Sequence, residues 1–337
     1  MSDLRIAVVG AGLMGADHIA RITQRIAGAV VSAVVEPDTA RGEAALVNAP
    51  GAKAYADIES ALADKAMDAV LVATPGQFHE PVLMPVLEAG LPVLCEKPLT
   101  PDSESSMRVV EAEIATGRQL IQVGFMRRFD AEYMQLRELI ASNGHGDLLA
   151  LRCQHRNPSV PDAYHNEMLI FDSVVHEIDA VRYLTGSPIA AVEVKHLKRN
   201  SNNADHLNEP VLVFLETESG VVADVEMNVS VRFGYQVKTE AVFENGIAEI
   251  GRTSGMTVWS DGRYGGVEHT SFKTRFAAAY DNQIQRWVDA TQAGTIDGPS
   301  AWDGYLAAAA VEAGLEALKT GKCAEVSYQP MPKFYQK

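Results

Sequence analysis

The sequence is poor in cysteine and contains no long apolar run. Its three cysteines, Cys95, Cys153 and Cys323, lie far apart and form no C-x-x-C pair, which excludes a disulfide framework and a cysteine-built zinc site. No apolar run approaches the ~18 residues of a transmembrane helix, and the first residues carry charges where a signal peptide would need an apolar segment. We therefore expect a cytoplasmic protein.

Positive charge and metal-binding patterns are scarce as well. The 29 Lys and Arg residues are outnumbered by 44 Asp and Glu residues, so the net charge is −15. Such a surface repels phosphate backbones and anionic lipid, and we expect neither a nucleic-acid nor a membrane partner. Because His145, His155 and His165 have no metal-ligand spacing with one another, we expect no metal site. The length of 337 residues indicates two domains, at roughly 100–200 residues each.

The apolar runs of the first 123 residues are short and alternate with segments of helical periodicity. We predict strands at 4–9, 30–35, 52–55, 69–73, 92–95 and 119–123. Buried strands that alternate with crossover helices are typical of a doubly wound parallel sheet. Residues 1–123 are therefore predicted to form an α/β domain.

Residues 124–337 follow a different pattern, in which longer segments alternate polar with apolar residues. That alternation is typical of antiparallel strands with one face toward solvent. We predict such strands at 147–156, 191–198, 210–216, 221–229, 235–243 and 256–260, and helices near 165–184, 274–292 and 300–320. The second domain is thus predicted to be α+β.

A glycine-rich turn directly follows the first predicted strand and opens a helical pattern. In Gly10-Ala-Gly12-Leu-Met-Gly15, the first glycine would allow a tight turn, the second the approach of a pyrophosphate and the third close packing of helix and strand. A purely structural glycine turn is the alternative. The second strand ends in an acid, Glu36, about 20 residues after Gly15, which favours a dinucleotide site.

Glu36 also bears on the choice of dinucleotide. A carboxylate at this position accepts hydrogen bonds from a free ribose hydroxyl and repels a 2′-phosphate, so we expect NAD rather than NADP. Arg41 lies close enough in sequence to weaken that preference. The alternative for Arg41 is a solvated helix residue.

Two further groups of residues carry acid–base side chains. Lys97, in a Cys-Glu-Lys-Pro segment, follows the fifth predicted strand, where ligands bind in open α/β sheets; a surface lysine is the alternative. Asp172, His176 and Asp179 are spaced i, i+4, i+7, which on a regular helix places them within roughly 60° of one another. A solvent-exposed face with an ion pair is the alternative. The opposite side would anchor the helix in the core through Ile170, Val174, Ile178 and Val181.

These features, in this order, resemble the Gfo/Idh/MocA oxidoreductases over both predicted domains. The shared elements are the glycine fingerprint, Glu96-Lys97-Pro98 and the Asp172-x-x-x-His176 helix. Further segments are similar to the bacterial inositol 2-dehydrogenases of that family, at 124–130, 155–158, 172–179, 275–281 and 298–305.

The resemblance implies a Rossmann domain followed by an α+β domain whose open, mostly antiparallel sheet also mediates formation of a homotetramer. It implies NAD as cofactor and the oxidation of myo-inositol, or a close isomer, to the 2-keto compound. In that reaction His176 is the acid/base residue, Asp172 orients and charges it, and Lys97 bonds the reacting oxygen. The other ring hydroxyls are held by Arg127, His155, Asn157, Asp179 and Tyr235, with Tyr280 as a weaker candidate. The implied cofactor-binding residues are Gly10, Gly12, Leu13, Met14, Gly15, Glu36, Thr74, Pro75, His79, Glu96, Lys97 and Met126.

Two alternatives stay open. One is the same chemistry on a pyranose such as glucose, which offers a similar array of hydroxyls. The other is a non-catalytic nucleotide-sensing regulator, which the presence of Lys97, Asp172 and His176 disfavours. Two features bear on the cofactor and the substrate: Glu36 stands where we expect Asp, and residues 168–171 lie in a region expected to vary with substrate.

Overall fold

The computed structural model describes residues 2–252 and 254–336. The chain divides into two compact units. The first consists of Met1–Met126, Tyr280–Ala308 and Gln329–Lys337, and the second of Arg127–Ala279 and Ala309–Tyr328. Among the described residues, no helix has both the length and the apolar character needed to cross a membrane. The assignment of cofactor binding to 1–123 and substrate binding to 124–337 stays a prediction.

The first unit contains a six-stranded sheet in which every strand pairs parallel with its neighbours. Its strands are β1 Leu4–Val9, β2 Ala29–Val35, β3 Lys53–Tyr55, β4 Ala69–Val72, β5 Val93–Cys95 and β6 Ile121–Val123. They lie in the order β3-β2-β1-β4-β5-β6, which confirms the predicted doubly wound sheet. The crossover helices are α1 Leu13–Gln24, α2 Thr39–Ala45, α3 Ile58–Ala63, α4 His79–Glu88 and α5 Ser103–Ala115.

Local sequence explains where three of these helices begin. Asp38, Asp57 and Asp102 precede α2, α3 and α5, and each carboxylate accepts a backbone N–H from the first turn of its helix. Helix α1 begins differently, because Gly12 occupies its N-cap position and provides no side-chain cap. No side-chain cap therefore satisfies the backbone amides in the first turn of α1.

The second unit contains a seven-stranded mixed sheet in the order β12-β11-β7-β10-β9-β8-β15. Its strands are β7 Leu148–Arg156, β8 Ile189–His196, β9 Val211–Thr217, β10 Val222–Asn228, β11 Gln236–Phe243, β12 Gly246–Ile250 and β15 Ala324–Glu325. Neighbours pair antiparallel except β7 and β10, which are parallel. The prediction of a mostly antiparallel sheet is confirmed. A separate hairpin consists of β13 Ser254–Ser260 and β14 Arg263–Val267.

The remaining helices are α6 Ala131–Ser142, α7 Val175–Thr185, α8 Phe272–Arg275, α9 Ala277–Gln292 and α10 Ala301–Thr320. Helix α9 supplies Ile284, Trp287 and Val288 to a buried cluster that also contains Ile6 and Leu71 of the parallel sheet. These five side chains are fully buried. A segment late in the sequence thus completes the core of the first unit.

Candidate active site

The glycine turn joins β1 to α1, and its three glycines differ in their surroundings. Gly10 has φ +90°, a conformation that favours glycine, and a Cβ on Gly15 would lie 1.8 Å from the carbonyl oxygen of Gly10. A Cβ on Gly12 would meet no described atom within 4 Å, so a ligand can approach the backbone there. Since α1 also lacks a side-chain cap, its first amides suit an anion. The turn fits the pyrophosphate of a dinucleotide.

Glu36 directly follows β2, and its buried carboxylate holds the glycine turn. Oε2 accepts the backbone N–H of Ala11 at 2.9 Å, and Oε1 accepts that of Asp38 at 3.2 Å. Arg41, which is half-exposed, places Nε 3.4 Å from Oε1 and offsets part of the negative charge. Glu36 therefore has a structural role in addition to the predicted contact with ribose, and Arg41 is more than a solvated helix residue.

Two loops at the carboxyl ends of β4 and β5 are joined by a buried histidine. His79 is fully buried, with Nε2 2.8 Å from the carbonyl oxygen of Thr74 and Nδ1 2.8 Å from that of Pro98. Burial lowers the pKa of His79, so its neutral form is favoured. The contact with cofactor predicted for His79 stays a prediction, and the structure places this side chain between the two loops, where a neutral ring can donate to one of the two carbonyls.

Thr74 contributes a buried polar atom to the same region. Its Oγ1 has no hydrogen-bond partner among the described residues, and its Cγ2 would lie 3.0 Å from a Cβ on Gly10. A buried hydroxyl without a partner costs free energy unless a ligand satisfies it. An unpartnered hydroxyl on a residue beside the glycine turn therefore fits a polar group of a bound dinucleotide.

Glu96, which precedes Lys97 in the sequence, pairs with a histidine of α1. Glu96 is buried, and its Oε1 lies 2.7 Å from Nε2 of the fully buried His18 on α1. The second oxygen accepts the backbone N–H of Lys97 at 3.3 Å. A Cβ on Gly124 would lie 2.9 Å from that oxygen, which explains a glycine there. The backbone of the half-buried Lys97 is thus linked to α1 through Glu96 and His18.

The remaining predicted cofactor residues differ in exposure. Leu13 and Pro75 are exposed, Met14 is half-buried and Met126 is buried.

Tyr280 is buried in the first unit, where its ring lies edge-on to His18 at 6.0 Å between centroids and 5.2 Å from the guanidinium carbon of Arg21. These contacts favour a packing role for Tyr280.

In the second unit, Asp172 and His176 are separated by a change of helix type. Residues Leu169–Val174 form a π-helical turn, and α7 begins only at Val175. The regular helix predicted from about residue 165 is therefore wrong over its first turns. Both side chains are half-buried. The predicted apolar anchor is confirmed, because Ile170, Val174, Ile178 and Val181 are at most 1% exposed. Single π-turns inside α-helices often occur at functional sites.

A buried charged cluster formed by Arg127, His155 and Glu177 lies next to His176. The Arg127 Nη1 donates to Glu177 Oε1, while Glu177 Oε2 lies 3.0 Å from His155 Nδ1. The rings of His155 and His176 are 6.3 Å apart between centroids, and those of His155 and Tyr235 are 6.0 Å apart. Burial would raise the pKa of Glu177, but Arg127 and His155 together lower it, so the carboxylate is ionised.

The other predicted substrate residues fall into two groups. Asn157, at the end of β7, has a buried Oδ1 with no hydrogen-bond partner among the described residues, and Tyr235 is a buried phenol whose pKa burial raises. Asp179 is 1% exposed and bound by Arg128, with Nη2 2.6 Å from Oδ1 and Nε 3.0 Å from Oδ2. The structure thus gives Asp179 an internal partner, and its contact with substrate stays a prediction.

Two protein-family models match this chain. Residues 4–125 match the oxidoreductase family model described as an NAD-binding Rossmann fold, and residues 133–249 match the GFO/IDH/MocA C-terminal domain. The chain belongs to the Gfo/Idh/MocA oxidoreductase family. The predicted family and the predicted Rossmann fold are confirmed.

Proteins similar to this chain cover nearly all of its length. An inositol 2-dehydrogenase of Corynebacterium glutamicum is 60% identical over 334 residues, which are 99% of each chain. One of Leifsonia xyli subsp. xyli is 58% identical over 334 residues, 99% of this chain and 98% of that one. The crystal structure of myo-inositol dehydrogenase from Lactobacillus casei in complex with NAD(H) and myo-inositol has a TM-score of 0.96 at 33% identity, covering 99% of this chain and 100% of that one.

Three residues that contact predicted site residues were not singled out from the sequence, although two of them lie within the family-like segments 124–130 and 172–179. These residues are His18, Arg128 and Glu177, and each lies within three positions of a predicted residue in the sequence. Their partners are distant in sequence. Glu177 pairs with Arg127, which is 50 positions away, and His18 pairs with Glu96, which is 78 positions away. A search for acids and bases next to each predicted site residue would have found two of them.

Proposed function

We propose that this chain catalyses the NAD-dependent oxidation of myo-inositol, or of a close inositol isomer, to the 2-keto compound. The observation that carries this proposal is the 60% identity to an inositol 2-dehydrogenase over 99% of both chains. The Lactobacillus casei enzyme, solved with NAD(H) and myo-inositol, supports the same cofactor and substrate class. Each unit contains polar and titratable side chains of the kinds that this reaction needs.

The first unit has the groups that would hold NAD. The open backbone at Gly12 and the uncapped first turn of α1 suit the pyrophosphate, and Glu36 at the end of β2 suits a ribose hydroxyl. The hydroxyl of Thr74, buried without a protein partner, would gain a hydrogen bond. When bound, the nicotinamide supplies the hydride acceptor, and proton transfer is left to the protein.

Oxidation of a secondary alcohol removes a proton from oxygen and a hydride from the adjacent carbon. Neutral His176 accepts the proton, a task for which a positioned base contributes about 10²–10⁴-fold. The Lys97 ammonium stabilises the negative charge that develops on the same oxygen. Asp172 orients His176 and stabilises the imidazolium once it has formed.

A polyol presents several hydroxyls that do not react, and each needs a polar partner. In the second unit, the buried Oδ1 of Asn157, the phenol of Tyr235 and the ring of His155 provide such partners. Arg127 and Asp179 complete the predicted set, and their charges are balanced by Glu177 and Arg128. We assign these residues to substrate recognition and not to proton transfer.

The function is tested by following reduction of NAD and NADP at the nicotinamide absorbance with myo-, scyllo- and chiro-inositol, glucose and xylose. We expect the highest kcat/KM with NAD and an inositol. A higher kcat/KM with glucose or xylose would assign the chain to pyranose oxidation. Binding of NAD without turnover of any polyol would indicate the nucleotide-sensing alternative.

We further propose that the protein works in the cytoplasm as a homotetramer assembled through its second unit. The β13–β14 hairpin supports self-association, because Met256, Trp259, Tyr264 and Val267 are each more than 70% exposed. Light scattering on the purified protein tests this, with four protomers expected. A monomer whose hairpin stays exposed in solution would contradict it.

A further inference from the structure

Glu177 is a buried carboxylate that the proposed reaction does not use. It follows His176 directly on α7, and its side chain is 2% exposed. Arg127 and His155, its two partners, are also nearly fully buried. An ionised group in such surroundings is retained only if its charge and its hydrogen bonds are compensated.

The contacts at His155 Nδ1 compete with one another. Glu177 Oε2 lies 3.0 Å from this nitrogen and requires a proton on it, whereas Arg127 Nη2 lies 3.2 Å away and would donate to a lone pair. Both partners are ionised, so charge assistance strengthens either hydrogen bond. The carboxylate is the closer of the two, and Arg127 has another acceptor in Glu177 Oε1, to which its Nη1 donates. The proton is therefore favoured on Nδ1, which leaves the lone pair of a neutral ring on Nε2.

The surroundings of His155 offer little to reverse this preference. Its neighbours in register on β10 and β11 are Met227 and Val237, both apolar and buried. Of the described aromatic and histidine rings, those of His176 and Tyr235 also lie against His155. Burial raises the pKa of Tyr235, so the phenol carries no charge near neutrality.

We propose that Glu177 is a positioning residue, which fixes His155 as the Nδ1–H tautomer so that Nε2 accepts a hydrogen bond from a substrate hydroxyl. The contact between Nε2 and a substrate hydroxyl rests on the proposed function, whereas the tautomer does not. Glu177→Gln gives a sharp expectation. The single amide oxygen accepts from Arg127, so the amide NH₂ faces Nδ1 and donates to it, and the proton moves to Nε2.

The tautomer is measured without any substrate, on protein labelled with ¹⁵N-histidine, by the ¹⁵N shifts of the two ring nitrogens. The His155→Gln variant assigns the signal by its loss. We expect Nδ1–H in the wild type and in Glu177→Asp, which keeps the charge, and Nε2–H in Glu177→Gln. Nε2–H in the wild type would overturn the proposal, even if Glu177→Gln failed to fold. Loss of inositol activity in the wild type would instead contradict the proposed function and leave this measurement intact.

Kinetics provide the second test, as a double-mutant cycle between Glu177→Gln and His155→Gln. We expect Glu177→Gln alone to lower kcat/KM for myo-inositol about ten- to a hundredfold, mostly through KM, because His155 faces a hydroxyl that does not react. In the His155→Gln background, the same change should cost less than about twofold, since the ring on which it acts is absent.

The matched control is Glu113→Gln, which neutralises a buried carboxylate of the first unit that accepts the backbone N–H groups of Leu120 and Ile121. It should lower the unfolding midpoint and leave KM for myo-inositol unchanged. If the losses from Glu177→Gln and His155→Gln were additive, or if Glu177→Gln behaved like the control, Glu177 would be a structural counter-ion of Arg127 and the proposal would be wrong.

Discussion

Nε2 of His79 lies 2.8 Å from the carbonyl oxygen of Thr74, so a single buried ring fastens the loop after β4. Nδ1 of the same ring lies 2.8 Å from the carbonyl oxygen of Pro98, in the loop that carries Lys97. A neutral imidazole has one N–H and can donate to only one of these carbonyls, whereas an imidazolium could donate to both. Burial lowers the pKa of His79, which shows that desolvation outweighs the second hydrogen bond.

The lowered pKa of His79 makes stability depend on pH. Unfolded His79 takes up a proton near its ordinary pKa of 6.5, while the folded residue stays neutral until lower pH. The free energy of unfolding should therefore be retained above about pH 6.5 and fall below it, by at most about 1.4 kcal/mol per pH unit from this group. Urea unfolding of wild type and His79→Gln between about pH 8 and pH 5 measures the difference. Equal slopes for the two proteins would show that His79 does not contribute.

Replacement of Thr74 by valine separates cofactor binding from folding. The hydroxyl has no partner among the described residues, so Thr74→Val should leave the unfolding midpoint unchanged or raise it slightly. If that hydroxyl contacts NAD, KM for NAD should rise about two- to tenfold with kcat little changed. Steady-state kinetics and a thermal melt check both effects. An unchanged KM for NAD would remove Thr74 from the cofactor site.

The carboxylate of Glu36 should set the preference between dinucleotides. Glu36→Ser removes both the acceptor for a ribose hydroxyl and the repulsion of a 2′-phosphate, and it leaves Arg41 without one of its partners. We expect kcat/KM with NADP to rise and that with NAD to fall, the latter partly because Ala11 loses its side-chain hydrogen bond. A wild-type enzyme that already preferred NADP would contradict this assignment.

Lys97 should act on the reacting oxygen and not on the pyrophosphate of the cofactor. Lys97→Ala should therefore lower kcat by about 10²-fold or more while the Kd for NAD stays within about threefold. Lys53→Ala, at an exposed position on β3, is the matched control and should change neither quantity. A normal turnover number for Lys97→Ala would show that Lys97 is a surface lysine, which is the alternative given by the sequence.

Much of the fold was predictable because its signals are local. The glycine turn, the strand-end acid Glu36 and the apolar anchor at 170–181 each occupy one short segment, and the structure places all three as predicted. The addition of α9 to the core of the first unit could not be predicted, since an amphipathic helix does not specify which sheet it covers.

The details of the site depend on tertiary contacts. Periodicity assumes a regular helix, so it could not show the π-turn at Leu169–Val174 that alters the relation of Asp172 to His176. It also could not show that Arg128 pairs with Asp179, because the two residues are 51 positions apart. The family resemblance supplied candidate residues, and only the structure supplied their partners.

The central claim is that His176, assisted by Asp172, takes the proton during oxidation of an inositol. The most direct measurement is kcat/KM for myo-inositol with NAD as a function of pH, in the wild type, Asp172→Asn and His176→Ala, each first checked for retained NAD binding. We expect the wild type to climb to a maximum on the alkaline side of neutrality as His176 loses its proton. In Asp172→Asn the imidazolium is less favoured, so the climb should move to lower pH and reach a reduced maximum. His176→Ala should lose the climb and most of the activity, and a wild-type rate and pH profile in that variant would contradict the account.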